Sequence, residues 1–358
     1  MFTIVRILCI IKQKESNMTS QRALIISLGE LKDTIYTLPL ISVLRQNDYE
    51  VEILTAEKGF EAVNKNPMIN RVHLAPLEQW LNKMPYMGIF EDVSECTKRL
   101  QKRNFDIAID CQQTFRSLIL FAKCGAKRRL TYSNAKEFSS LGGNENIDSK
   151  PEFRNTNIHK VELNLNFARY LGLNTKSAEF ILPEIKYTSK TKIDRFMKFS
   201  EERPIIVLSP NMAQGELAWH PKNWINLVNN ISDKFNIAII GDAHDNILAN
   251  KLSHKNIINL CGKTTYEDLR YIFSVAHIII SNNIENSVIA WADNRNVVTI
   301  STNMPPQKFN PYSLNKENTY KTLIGNLDCQ PCGQKFCAHS NFKCSHTPTV
   351  ETVLNCIK

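Results

Sequence analysis

ALIISLGELKDTIYTLPL, residues 23–40, is an apolar run that breaks at a short turn and resumes around Asp33 with helical character. Its first five residues have the unbroken hydrophobicity of a strand covered on both faces, the usual condition in a parallel sheet. Strand, turn and helix together make half of a βα unit. In open parallel sheets the ligand crevice lies beyond the carboxyl ends of the strands, where a helix start offers amides and the positive end of its dipole. Asp33 therefore stands at the mouth of a candidate site, although the dipole alone also favours an acid in a first turn.

Similar units flank this stretch. VEILTA (51–56), RVHLAP (71–76) and FDIAIDC (105–111) read as strands separated by helical segments, which gives a first α/β half. SSLGGNENIDSKPEFRNTN (139–157) has no periodicity and reads as a long loop beside a cleft. A helix is expected over about 159–171, with Val161, Leu163, Leu165, Phe167, Ala168 and Leu171 apolar, then a linker around 182–190. PIIVLSP (204–210), FNIAIIGD (235–242), NIINLCG (256–262), HIIISNN (277–283) and NVVTIST (296–302) repeat the strand pattern in a second half. The expected division is an extension over 1–20, an α/β domain over 21–182, a second over 183–328 and a Cys-rich tail over 329–358.

At 358 residues, 43% hydrophobic and 22% charged, the chain has the composition of a globular protein large enough for two cores. The formal net charge of +9 is spread along the sequence with no nucleic-acid-binding motif, so an anionic substrate or an anionic membrane surface accounts for it. No run approaches the roughly 20 apolar residues of a spanning helix. MFTIVRILCIIKQKES resembles a secretion signal only superficially: Arg6 splits it and no small-residue cleavage site follows. It reads as an extension, or as sequence upstream of a start at Met18, and the expected compartment is the cytoplasm.

Ten cysteines are present, five of them between Cys329 and Cys356. The others sit singly in apolar surroundings, as buried thiols do. Cys329, Cys332, Cys337 and Cys344, with His339 and His346 nearby, could close a tetrahedral site for a structural zinc or iron, or form a reduced thiol cluster or a structural knuckle. The gaps of 2, 4 and 6 residues are irregular for paired CxxC knuckles.

The order of these segments resembles that of the bacterial heptosyltransferases of glycosyltransferase family nine. DTIYTLPL, the stretch 105–132 (FDIAIDCQQTFRSLILFAKCGAKRRLTY), HKVELNLNFARYLGL (159–173), LSPNMAQGELAWHPKNWINLV (208–228), INLCGKTTYEDLRYIFSVAHIIISNN (258–283) and the Cys-rich tail carry the resemblance. It implies a GT-B fold of two Rossmann-like domains and inverting transfer from a nucleotide sugar, ADP-heptose by default, to a lipopolysaccharide core. The reaction would require no metal, and contact with the inner face of the inner membrane would fit such an acceptor. By position Asp33 would be the base, which cleft burial would have to strengthen. Arg116, Lys127 and Arg128, with Arg129, would suit the phosphorylated acceptor, or form a solvated basic face. Ser209, Asn211, Lys222, Lys263 and Asn283 are the candidate donor contacts, with His220 and Thr264 near them, while His159 reads as a packed helix-end residue.

Three positions depart from the family pattern. Lys32 replaces the usual Gly before the catalytic Asp. Ala218 stands where a basic residue meets the donor phosphates. Over 283–288 the chain reads Asn-Ile-Glu-Asn-Ser-Val, losing a Gly and a His and placing Glu285 where a diphosphate would sit. These departures leave open a non-catalytic binding or scaffold relative, or a transferase with a changed donor.

Overall fold

The computed structural model describes residues 20–82, 88–148, 158–200, 202–252, 255–309, 312, 320–334 and 336–357. The segment before residue 20 lies outside them. Two six-stranded sheets, parallel at every described pairing, account for the two series of apolar runs. The first has the order β3-β2-β1-β4-β5-β6, with β1 Arg22–Ser27, β2 Glu50–Thr55, β3 Arg71–Leu74, β4 Ile107–Asp110, β5 Arg128–Tyr132 and β6 Glu145–Ile147. The second has the order β12-β11-β10-β7-β8-β9, with β7 Ile205–Ser209, β8 Asn236–Ile239, β9 Ile257–Asn259, β10 Ile278–Ser281, β11 Val297–Ser301 and β12 Tyr320–Ile324. Two doubly wound α/β units on one chain are the GT-B arrangement expected from the sequence.

Helices of five or more described residues cover the sheets. In the first half they are α1 Leu31–Ile35, α2 Leu38–Gln46, α3 Glu57–Val63, α4 Leu77–Asn82, α5 Gly88–Gln101, α6 Phe115–Lys123 and α7 Lys160–Tyr170. In the second they are α8 Tyr187–Phe196, α9 Pro221–Ile231, α10 Tyr266–Val275, α11 Ile284–Ala292 and α12 Val350–Leu354. The α9 sequence shows why one forms: Trp224, Leu227, Val228 and Ile231 recur at helical spacing and are all buried. Pro221 sits at its first turn, where no amide partner is needed, and His220 caps it by accepting from the Lys222 amide.

Side-chain alternation along the strands builds the cores. Ala23 and Ile25 of β1 join one apolar cluster that also holds Val207 of β7 and Ile279 of β10, so a single core runs through both halves. Leu24 and Ile26 face a second cluster beneath α5 and α6, and Ile206 and Leu208 face a third beneath α9 and α12.

The structure corrects three expectations about chain organisation. The expected loop 139–157 contains a 3-10 turn, Lys136–Gly142, and then β6, which pairs parallel with β5; residues 149–157 lie outside the described set. The expected linker at 182–190 ends early because α8 starts at Tyr187. The β12 strand, not expected at all, extends the second sheet.

Candidate active site

Asp33 lies in the first turn of α1, six residues beyond the carboxyl end of β1. Its Oδ2 accepts from the Glu30 amide at 3.0 Å and the Glu30 side chain reciprocates on the backbone of Asp33, a capping box that fixes one carboxylate oxygen. Lys58 holds Glu30 through Nζ at 3.0 Å. Gly29 lies under this carboxylate: a Cβ there would stand 2.3 Å from Asp33 Oδ2 and 2.8 Å from Gln112 Oε1. Glycine is required where those two side chains close over the backbone.

Gln112 and Gln113 follow Asp110 at the end of β4, beside β1. Asp110 is fully buried and its Oδ1 accepts from both glutamine amides at 3.0 Å, while Oδ2 accepts from the Ser117 hydroxyl at 2.9 Å. Burial pushes its carboxyl up to about 6, against those hydrogen bonds and the Lys160 charge. Gln113 is left-handed, with φ 57°, and its Nε2 is buried without a hydrogen-bond partner among the described residues. Sequence reasoning missed both glutamines as site residues. The one signal was their place just after an acidic strand end, with Cys111 between.

Arg116 is exposed at the second position of α6, on the same sheet edge as Asp33. Lys127 and Arg128 are not. They open β5 at the opposite, amino-terminal edge, where Lys127 pairs with Asp106 at 2.7 Å and Arg128 with Glu145 at 2.7 Å. Arg129 beside them spends its guanidinium on the Gly142 and Ala126 carbonyls. The candidate acceptor cations Lys127 and Arg128 are therefore structural ends of a strand, because a basic run in sequence carries no information about which edge it reaches.

Across from Asp33, the carboxyl ends of β7 and β10 bring Ser209, Asn211 and Asn283 together. Ser209 Oγ accepts from Asn286 Nδ2 at 2.8 Å, and Asn283 caps α11 by accepting from the Asn286 amide at 3.1 Å. Asn211 is left-handed, φ 59°, with Nδ2 reaching the Asn282 carbonyl at 3.5 Å. Asn282 ties the loops: its Oδ1 accepts from the Trp219 amide at 2.8 Å and its Nδ2 donates to the Ile300 carbonyl at 2.9 Å. Ala218 is buried at this junction. Lys222 is exposed on the first turn of α9, and Lys263 donates to the Asn259 carbonyl of its own loop at 2.9 Å, so neither joins the cluster by a contact. Near Lys222, a 480 Å³ pocket is lined by Gly215, Glu216, Ala218, His220 and His346 among others, with the two histidine rings stacked 4.3 Å apart. Burial lowers the His220 pKa, and the His346 and Lys222 charges add to this. A cavity of about 630 Å³ near Arg71, His73 and Arg99 lies at β3 and α5, away from Asp33.

The two sides meet at α1 and α11. The Lys32 amide donates to Glu285 Oε1 at 3.3 Å, and behind this contact Tyr36 stacks on Trp291 at 6.1 Å. Burial raises the Tyr36 phenol pKa, with the charges of Asp33 and then Glu285 adding to it. His159 is the packed residue expected: it caps α7, accepting from the Val161 amide, and sits edge-on to Tyr36 at 5.1 Å. Glu285 thus presents a carboxylate at the opening of α1, which an incoming anion would have to displace or avoid.

In the tail, Cys329 and Cys332 are exposed, Cys337 is half-buried and Cys344 buried. Burial raises the Cys344 pKa, and the neighbouring Cys337, Cys332 and Cys329 thiols add to it. Among the described residues no group of three His, Cys, Asp or Glu is arranged to hold a metal ion. Trp219 Nε1 donates to the Pro348 carbonyl and the His220 amide to Ser345, which seats the tail against the second sheet.

Comparison with known proteins agrees with this architecture. Residues 93–343 match the family model described as glycosyltransferase family 9 (heptosyltransferase). Over 265 residues, 71% of this chain and 83% of the other, it is 26% identical to lipooligosaccharide heptosyltransferase 2 of Campylobacter jejuni. Among solved structures it is similar to a family 9 glycosyl transferase from Veillonella parvula, with TM-score 0.77, 16% identity and coverage of 94% and 96% of the two chains. It is also similar to E. coli heptosyltransferase WaaC with ADP, with TM-score 0.71, 18% identity and coverage of 94% and 99%.

Proposed function

The chain belongs to glycosyltransferase family 9, and on that basis we propose that it transfers a heptose from a nucleotide sugar, ADP-heptose by default, to a lipopolysaccharide core, with inversion. The observation that carries this reading is the position of Asp33, at the carboxyl edge of one sheet and opposite the start of α11 on the other. Asp33 would take the proton from an acceptor hydroxyl as its oxygen attacks the anomeric carbon and the nucleoside diphosphate departs. Its Oδ2 is already held by the Glu30 amide, so Oδ1 is the oxygen that would receive the proton. Gln112, Gln113 and Arg116 line the same edge and would orient the acceptor, Arg116 toward its phosphate. Ser209, Asn211 and Asn283 would meet the donor, with Lys222 and Lys263 supplying positive charge from adjacent loops.

A second reading rests on Glu285 and Ala218. A carboxylate at the α1 amide and a buried alanine at the usual basic position favour a changed donor, or a relative that binds without transferring. Melting curves with a panel of nucleotide sugars separate these readings, since a ligand at 100 times its Kd adds about 2.7 kcal/mol. A shift with ADP-heptose supports the default donor, a shift with another sugar nucleotide supports the changed donor, and no shift with any of them removes both transferase readings. With a donor in hand, Asp33→Ala is expected to abolish turnover and keep donor binding. Unchanged turnover would take Asp33 out of the mechanism.

A further inference from the structure

Four large apolar side chains stand in solvent on one small unit of the first half. Phe115 is 59% exposed, Ile119 42%, Phe138 76% and Leu141 77%. Phe115 and Ile119 lie one turn apart on α6, and Phe138 and Leu141 come from the 3-10 turn that runs alongside it. Glu137 Oε2 accepts the Phe115 amide at 2.8 Å, and a Cβ on Gly142 would touch Phe121 and Leu118, so the two segments are joined at both ends. A water-facing helix ordinarily turns such residues inward. Here the inward face is already filled by Leu120 and Phe121, which leaves the second stripe without a cover.

The backbone holds this surface out. Glu137 and Phe138 are consecutive left-handed residues, φ 53° and 61°, a conformation that costs a bulky residue free energy and needs its surroundings to impose it. Arg116 and Lys123 lie on one flank of the Phe115–Ile119 stripe, both exposed and neither with an ion-pair partner among the described residues. No acidic residue lies on α6. The four side chains expose on the order of 400 Å², well below the roughly 800 Å² per partner of a standard protein interface. Aromatic and aliphatic tips flanked by unpaired cations match the interface of an anionic bilayer, where apolar groups enter the headgroup boundary and cations meet lipid phosphate.

We propose that α6 and the Lys136–Gly142 turn form a docking tip for an anionic membrane surface. The surface starts with Phe115 and Phe138 at the carboxyl edge of the first sheet and runs along α6 to Gly142, whose carbonyl accepts from Arg129 at the amino-terminal edge. The inference goes beyond the proposed reaction and does not depend on which sugar is moved.

Co-sedimentation with vesicles of phosphatidylcholine alone, and of phosphatidylcholine mixed with phosphatidylglycerol, tests it. The full chain is expected to bind the anionic vesicles and to bind the neutral ones far less. Phe138→Ser with Leu141→Ser should lower partition by about tenfold or more, since each buried apolar side chain contributes on this scale. Lys123→Glu should weaken binding to anionic vesicles and leave neutral ones unaffected. All variants should melt as the parent does and show the same melting response to ADP as the parent, whatever that response is. Equal partition of parent and double variant overturns the proposal, as does absence of binding to anionic vesicles. A parent that is dimeric in solution and becomes monomeric in the double variant also overturns it, in favour of self-association.

Discussion

Asp110 gives the sharpest quantitative test, because its carboxyl is both buried and central to the acceptor-side loop. Its pKa is pushed from 3.8 to about 6 by burial. An acid whose folded pKa is raised binds more protons in the native state than in the unfolded state between those two values. Its contribution to stability is therefore intact at low pH, declines as pH rises from about 4 to about 6, and stays lost above that. Raising the carboxyl from 3.8 to about 6 corresponds to roughly 3 kcal/mol at neutral pH. Asp110→Asn keeps an acceptor for the Gln112 and Gln113 amides, and its new amide can donate to Ser117 Oγ, whose own proton then serves the Thr114 carbonyl at 2.8 Å. The variant should melt close to the parent near pH 4.5 and several degrees above it near pH 8. Asp110→Ala, which leaves two amides without their acceptor, should melt lower than the parent at both values. Thermal unfolding followed by circular dichroism reads all three proteins. An Asn variant whose offset from the parent is the same at both pH values would refute the argument that the buried charge is the source of the cost.

Three further outcomes follow from named contacts. Glu52, almost fully buried, is pushed up by burial but held down at about 2 by His73 at 2.6 Å and by Arg103, so its contribution is present above about pH 4.5 and lost as pH falls toward 2. Glu52→Gln should cost about 2 kcal/mol in a neutral-pH denaturant titration, discounted because Arg103 is partly exposed, and should remove the acid-sensitive portion of the parent's curve. Glu285→Gly removes the carboxylate at the α1 opening and should tighten ADP binding by about tenfold in calorimetry, one charge at such range being worth more than 1.4 kcal/mol; weaker binding would mean that Glu285 supports the donor site. Gly29→Ala should cut turnover far more than it lowers Tm, since the added methyl would displace the Asp33 and Gln112 side chains rather than any backbone. An Ala variant with full activity would show that their placement is not needed.

The sheets were legible because strands covered on both faces leave near-continuous apolar runs, and the nine runs so marked include Ile107–Asp110 and Ile278–Ser281. The strands that escaped are the exceptions to that rule. Arg128–Tyr132 opens on two arginines, Glu145–Ile147 is three residues long and mostly polar, and Tyr320–Ile324 is an edge strand with Lys321 exposed. The site was legible in part. Asp33 could be placed by the βα turn alone, but Gln113 depends on a left-handed backbone that no spacing announces. Lys127 and Arg128 looked like a binding run because sequence records charge and not strand direction.

The apolar cluster shared by β1, β7 and β10 has a consequence for how the molecule comes apart. Halves that merely touched would melt as two independent bodies, each able to exist without the other. With Trp291 and Tyr36 in one core, cutting near residue 182 would strip water-excluding cover from both fragments. Heating should accordingly give a single calorimetric endotherm, and a protease that nicks the connection should leave a complex that stays associated until it denatures.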